Sequence, residues 1–390
     1  MKTIDSTEVG PQESVGDDQI DELRKEVTPR KSGVSRRSFL GKSFMFGAGT
    51  IGAGLLGSTR TDGETDALTT GDAALLRFAA AAEILEADFW IQYNELGGIQ
   101  DAEVPGGHGN PAYTEALEVI EDEMGDYIHD NTDDEISHHT FLNAYLRSKG
   151  APPVSLEPFR TLPGSTATGS SGKLRLTNLT QLTIDTSWWT RYRDDDHNPD
   201  LNPNFRFPQA VPTLAVGHHT AIPRTDADTT DENFLQAIAN TAAFHFPTIE
   251  QGGNSLYPAM ALRATSRQVL RILISIGPTE TMHFQTWSDV AGNAPPLTAV
   301  DPVTGVRVTF PDLEVEDELF DKALIMPEPC PFISRDLPRC SVIRPTLTNG
   351  VAMKTVIFLT QMGLFRGQSP AFFSFLSQLA QEADAAQRGF

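Results

Sequence analysis

Two Glu-x-x-His steps, Glu135-Ile136-Ser137-His138 and Glu280-Thr281-Met282-His283, constrain this chain more than any other feature. Each falls in a stretch with helical pattern, and a three-residue step on a helix returns to nearly the same face. Both side chains of a step can therefore point at one ion. Upstream of each step stands a separate glutamate, Glu86 and Glu250. Two helices giving one Glu and two giving Glu-x-x-His is the ligand set of a dinuclear carboxylate site inside a four-helix bundle. With 23 Glu and 9 His in 390 residues, composition alone produces roughly half of one such step (23×9/390). The weight therefore rests on where the steps fall.

Hairpin geometry supplies a check on that placement. In two antiparallel helices, residues at one height are equidistant from the turn. Glu250 and Glu280 have their midpoint at 265, inside the inferred turn Ala264-Thr265-Ser266. Glu86 and Glu135 have theirs near 110, in the Gly106-Gly107-His108-Gly109-Asn110-Pro111 loop. On the first helix Glu83 competes with Glu86, three residues away on a neighbouring part of the face. Glu86 has Ile84, Leu85, Phe89 and Trp90 around it, and Tyr93 lies two turns further along its face. A buried carboxylate in such company needs a cation. The bland alternative is that these acids are solvated charges and the histidines satisfied core or cap groups. His139 points about 100° away from His138 and reads as a surface or interhelix residue. His245 is a minor candidate for an extra ligand, and His218-His219 read as exposed loop histidines.

The formal net charge is −22, with 8 Lys against 22 Arg. Nucleic acid is a poor partner for such a surface, because phosphate binding needs a positive footprint. The same composition suits either high salt or an ordinary acidic protein. Near the start, Ser35-Arg36-Arg37-Ser38-Phe39-Leu40 resembles a twin-arginine export signal, followed by an apolar, glycine-rich run from Phe44 to Leu56. A bilayer needs ~20 apolar residues, so this shorter run reads as a signal core and not an anchor. Export to an extracytoplasmic location is expected, with membrane contact only through this segment if it is retained. Cys330 and Cys340 then have the option of one short-loop disulfide. No G-x-S-x-G elbow or catalytic-cysteine context supports a hydrolase.

The chain reads as a polar tail over 1–34, the signal segment over 35–60, a first helical hairpin over 68–150, an irregular insertion over 151–230, a second hairpin over 231–294 and a mixed extension over 295–390. Helix 1 is expected from a cap at Asp72 to Leu96, ended by Gly97-Gly98. A second helix starts near Ala112 and breaks at Asp130-Asn131, where Thr132-Asp133-Asp134-Glu135 reads as a capping box. The insertion holds one expected helix, Leu174–Asp185. The second hairpin opens at Thr230-Asp231, turns with a cap at Thr265 or Ser266, and kinks at Gly277-Pro278. In the extension, 306–310 reads as a strand, with helices over 312–325 and 369–388.

With Ala82–Trp90, Asp133–His138, Ile249–Tyr257 and Glu280–His283 in this order, the chain resembles the ferritin-like superfamily, most closely its desiccation-related plant proteins and their microbial relatives. The resemblance covers about 72–150 and 230–292. It implies a mainly α fold, a ferritin-like four-helix bundle with a long irregular insertion between its hairpins and a mixed C-terminal extension. It also implies two iron ions, or manganese, with Glu135 and Glu280 bridging, His138 and His283 terminal, and Glu86 and Glu250 completing the shell. A tyrosine beside the first carboxylate is a further implication, and on that ground Tyr93 favours Glu86 over Glu83. Iron would support ferroxidase, peroxidase or oxygenase chemistry, and manganese peroxide dismutation. The competing expectation is a non-enzymatic desiccation- or stress-related structural protein of the cell envelope, with no functional metal centre.

Overall fold

The hydroxyl of Thr69 accepts a hydrogen bond from the Asp72 backbone N–H at 3.0 Å, which starts helix α1, Thr70–Gly97. The cap is therefore Thr69 and not Asp72. The Asp72 carboxylate instead accepts the backbone N–H groups of Thr265 and Ser266, at 2.9 and 3.0 Å. Helix α1 ends at the expected glycines, with the Gly98 N–H bonded to the Asn94 carbonyl. It is buried almost all round, its polar residues included, so it must be covered on every side. Its covers are later parts of the chain.

The computed structural model describes residues 68–193, 204–313, 336 and 349–389, all within the unit Thr65–Phe390. The tail, the signal segment, most of the helix expected over 312–325, and both cysteines lie outside the described residues. After α1 come α2 (Pro111–Glu118) and α3 (Met124–Ser148), then α4 (Trp188–Arg191) within the insertion. The second hairpin is α5 (Glu232–Ala261) and α6 (Arg267–Val290). Strands β1 (Leu297–Val300) and β2 (Arg307–Phe310) pair antiparallel with Leu297 opposite Phe310. Helices α7 (Val351–Met362) and α8 (Pro370–Ala385) complete the described elements.

Helices α1 and α3 pack as one pair and α5 and α6 as the other, which makes the four-helix bundle. Helix α8 lies on α1, and α7 on α5 and α8, so the extension is part of the same core. No described helix is long and apolar enough to cross a membrane.

Two further expectations need correction. The interruption in the first hairpin falls at 119–123, and α3 runs unbroken through Asp130-Asn131. There is no capping box at Thr132, whose hydroxyl bonds the Ile128 carbonyl inside the helix. Asn131 is a weak helix former, but its amide is committed to Glu135, Glu250 and Trp287, so tertiary contacts override propensity. Leu174–Asp185 is not helical; it runs as irregular chain held by the bridges Leu162 to Arg175 and Leu182 to His219. Its apolar residues Leu176, Leu179, Leu182 and Ile184 are buried against the bundle. Helix α6 carries Pro278 inside it and stays helical on both sides of Gly277-Pro278. The small Gly277 allows a close approach to α5, since a Cβ there would come within 2.8 Å of the Tyr257 Cβ.

Candidate metal centre

All four bundle helices send acids inward at one level. Glu83, Glu135, His138 and Glu280 offer ligand atoms within 4.8 Å of one another, and so do Glu135, Glu250, Glu280 and His283. The two groups share Glu135 and Glu280. Each hairpin gives one upstream glutamate and one Glu-x-x-His step, so the two halves are chemically alike.

The contacts are specific. His138 Nδ1 faces Glu135 Oε2 at 3.0 Å, Glu83 Oε2 at 3.2 Å and Glu280 Oε1 at 3.5 Å. His283 Nδ1 faces Glu135 Oε1 at 3.2 Å and Glu250 Oε2 at 3.3 Å. The outer nitrogens are held as well: His283 Nε2 meets Asp134 Oδ2 at 3.0 Å, and His138 Nε2 meets Thr279 Oγ1 at 3.3 Å. Such outer partners fix ring orientation in metal sites.

On α1 it is Glu83, the competing position, whose carboxylate falls in a ligand group. Glu86 is one turn on, also buried, with Oε1 lacking any hydrogen-bond partner and its carboxyl within the field of Glu135 and Glu250. The tyrosine on a cluster carboxylate is Tyr257, whose hydroxyl donates to Glu83. Tyr93 instead bonds His245 Nδ1 at 2.9 Å, and His245 is in neither group. His219, expected to be exposed, is buried with Nε2 between the carbonyls of Thr213 and Val216, while His218 is exposed. Asp134, Thr279, Tyr257 and Asn131 were not singled out from sequence. Asp134 had a readable signal, since it directly precedes Glu135 in the first step. A third group, Asp101, Glu103 and His129, is partly exposed.

Five carboxylates against two imidazoles leave a charge deficit. Fully ionised acids and charged histidines sum to −5 + 2 = −3 in a buried space, which is costly without further cations. The protonation equilibria reflect this. Burial, then the Glu135 charge, raises the Glu280 carboxyl well above the usual range. Glu86 is raised likewise by burial and by Glu135 and Glu250. Glu135 is pushed up to about 7 by burial and Glu83, against the pull of both histidines. Burial alone would lower His138, but hydrogen bonds to Glu135 and Glu83 outweigh it and carry the imidazole to about 11. His283 is raised well above its ordinary value, Glu250 and Asp134 overcoming burial. Glu83 moves the opposite way to Glu86, Glu135 and Glu280: burial raises it, yet bonding and charge from His138 bring it below its ordinary value.

The donor set fits metal ions. Both oxygens of Glu280, Oε2 of Glu250 and Oε1 of Glu86 are buried without a hydrogen-bond partner. Buried polar atoms are rarely left so unless something binds them. Gly253 makes the room: a Cβ there would stand 2.5 Å from Glu280 Oε2. Behind the cluster, Trp90 donates from Nε1 to Glu250 Oε1 at 3.1 Å and stacks on Phe246 and Trp287 at 4.8 and 5.3 Å. This apolar wall excludes water on that side.

Fold and cluster together define a class: bundle proteins whose interior acids and histidines are arranged as a metal site. A family model described as a ferritin-like domain matches residues 71–293, more than half of the chain, and the chain belongs to that family. The match runs through the irregular insertion as well as both hairpins. No curated protein and no solved structure matches the chain.

Proposed function

We propose that the protein holds two metal ions, iron or manganese, and uses them to handle dioxygen or peroxide outside the cytoplasm in stress protection. One observation carries this reading: two four-residue ligand groups share Glu135 and Glu280, each with its own histidine and its own outer glutamate. Glu83 and His138 would hold one ion, Glu250 and His283 the other, and the shared carboxylates both. Two divalent ions with neutral imidazoles change the local sum to −5 + 4 = −1, so loading displaces the histidine protons. Carboxylate and imidazole donors suit Fe and Mn. Bound, such a pair supplies two-electron redox chemistry. The chain's own residues do the rest: Asp134 and Thr279 orient the rings, Trp90 and Trp287 close the dry side, and Glu86 places a further buried carboxyl on the open side.

Export by the twin-arginine route is supported by Ser35–Leu40 and the apolar run after it. Replacing Arg36 and Arg37 by Lys should leave the protein in the cytoplasm on fractionation, and unchanged export would refute the route.

Metal content by elemental mass spectrometry is the deciding test, on wild type beside a Glu135→Ala/His138→Ala double variant. About two Fe or Mn per chain, lost in the folded variant, is the expected result. No metal in either would leave the bundle as a scaffold with a structural or protective role.

A further inference from the structure

The bundle is open on one side of the cluster, and the opening is roofed by parts of the chain outside the four helices. A cavity of about 250 Å³ is bounded by α1 and α5, by the insertion through Trp188 and Arg191, and by α7. Glu83, Glu86 and Gly253 form the end nearest the cluster. Its walls are mainly apolar, with Leu85, Phe89, Trp188, Leu256, Phe358 and Leu359. A cavity of about 150 Å³ accepts benzene, so this one takes roughly ten non-hydrogen atoms. It has the usual form of a small-molecule site, a concave apolar body with a few polar groups.

Its polar groups are distributed unevenly. The inner end carries two buried carboxylates, which disfavour an anion there. Among the described lining residues the cations are Arg191 and Lys354. The Arg191 Nη1 is bonded to Gln251 Oε1 at 3.0 Å, while its Nε is buried without a partner. Lys354 is exposed. Asp185 also lines the cavity in the field of Arg191, with its Oδ1 engaged by the Ser187 N–H and by Gln209, so Lys354 is the lining cation farther from an acid's pull.

We infer that this cavity binds a small organic anion with an apolar body, such as a medium-chain or aryl carboxylate. The acid group lies at Lys354 and Arg191, and the apolar part reaches toward Glu83 and Glu86. This assigns a substrate class to the metal site, and to that extent it rests on the metal reading. Binding itself does not need metal, so the two can fail separately.

Gly252 provides the obstruction. It lines the cavity, it is helical, and a Cβ there would meet no atom within 4 Å. The probe is octanoate, with octan-1-ol as its neutral counterpart, titrated calorimetrically into the metal-free full chain. Saturable one-site octanoate binding with a Kd on the order of 0.1 mM is expected for a ligand of this size. Gly252→Phe should weaken it more than tenfold, and Thr355→Trp on the opposite wall gives the same reading if the first variant does not fold. Lys354→Gln should weaken octanoate about threefold to tenfold and leave octanol unchanged, as expected for a partly exposed charge pair. No saturable octanoate binding would overturn the proposal. So would binding unchanged in the folded, obstructed variants, or octanol bound as well as octanoate with Lys354→Gln silent. Metal content, measured in parallel, judges the metal reading independently.

Discussion

Acidic side chains are buried in two quite different ways in this protein. Where the insertion is fastened to the bundle, the buried acids Asp88, Glu95, Asp228 and Asp301 each pair with an arginine, although Glu95 Oε1 has no hydrogen-bond partner. Asp88 on α1 accepts the backbone N–H groups of Leu176 and Thr177, both at 2.9 Å, and the Thr177 hydroxyl, and it pairs with Arg160. Glu95 pairs with Arg175, and Arg224 holds Asp228 and Asp301 together at 2.8 and 2.9 Å. In the cluster the acids outnumber the protein's own cations, and four carboxylate oxygens lack a hydrogen-bond partner. The first pattern completes itself from the chain. The second is complete only with something added, and that difference separates a joint from a binding site.

The largest effect should come from breaking a joint. Asp88→Ala strands two backbone N–H groups and leaves Arg160 with Glu157 alone, and should cost about 3–5 kcal/mol in chemical denaturation. Loss below about 1 kcal/mol would mean the insertion is not held there. His245 tests the boundary between the two patterns, as a buried titratable group without a carboxylate. Burial lowers its imidazole to about 3, so the folded state keeps it neutral. With the unfolded value near 6.5, its contribution is full above that pH and is lost as pH falls toward 3. His245→Phe should therefore flatten the acid limb of stability between pH 6.5 and 4, by about 3 kcal/mol at the lower end.

The cluster should respond in the opposite sense to a joint. The Glu280 carboxyl is raised by burial and by Glu135, so its contribution is full below the unfolded value and is lost as pH rises. Metal-free Glu280→Gln should match wild type near pH 4 and exceed it at pH 8 by roughly 1–2 kcal/mol, while binding less metal. A variant less stable than wild type at pH 8 would place Glu280 with the joints. The smallest effect is a control outside both regions: Thr69→Ala removes the cap of α1 and should cost about 1 kcal/mol with metal content unchanged.

The bundle was legible in the sequence because its determinants are local. Periodic apolar positions, the Gly97-Gly98 stop and the Ser266 cap all act within a turn or two. The Glu-x-x-His steps carried Glu135, His138, Glu280 and His283 to one place for the same reason. Choosing between Glu83 and Glu86 depended on how α1 is rotated against α3, and that is set by packing from α8 and the insertion. Asn131 misled because its side chain looked like a helix breaker, while its partners Glu250 and Trp287 are more than a hundred positions away. Helix α7 was missed because Val351–Met362 has one charge, Lys354, and no cap side chain; it begins at Gly350 in the left-handed region, with φ of 65°.

The bond from Asp72 to Thr265 and Ser266 lies where three distant parts of the chain meet. A Cβ on Gly71 would touch the Ala386 Cβ at 3.4 Å, and the Gly389 N–H bonds the Thr265 hydroxyl at 2.9 Å. The two ends of the described fold are thus neighbours at one pole of the bundle. A short linker from 389 to 68 would close the polypeptide into a ring, and the ring could be reopened at exposed Gly150, beyond α3. Such a circular permutant would keep every cluster residue in place while reversing the order in which the two hairpins leave the ribosome.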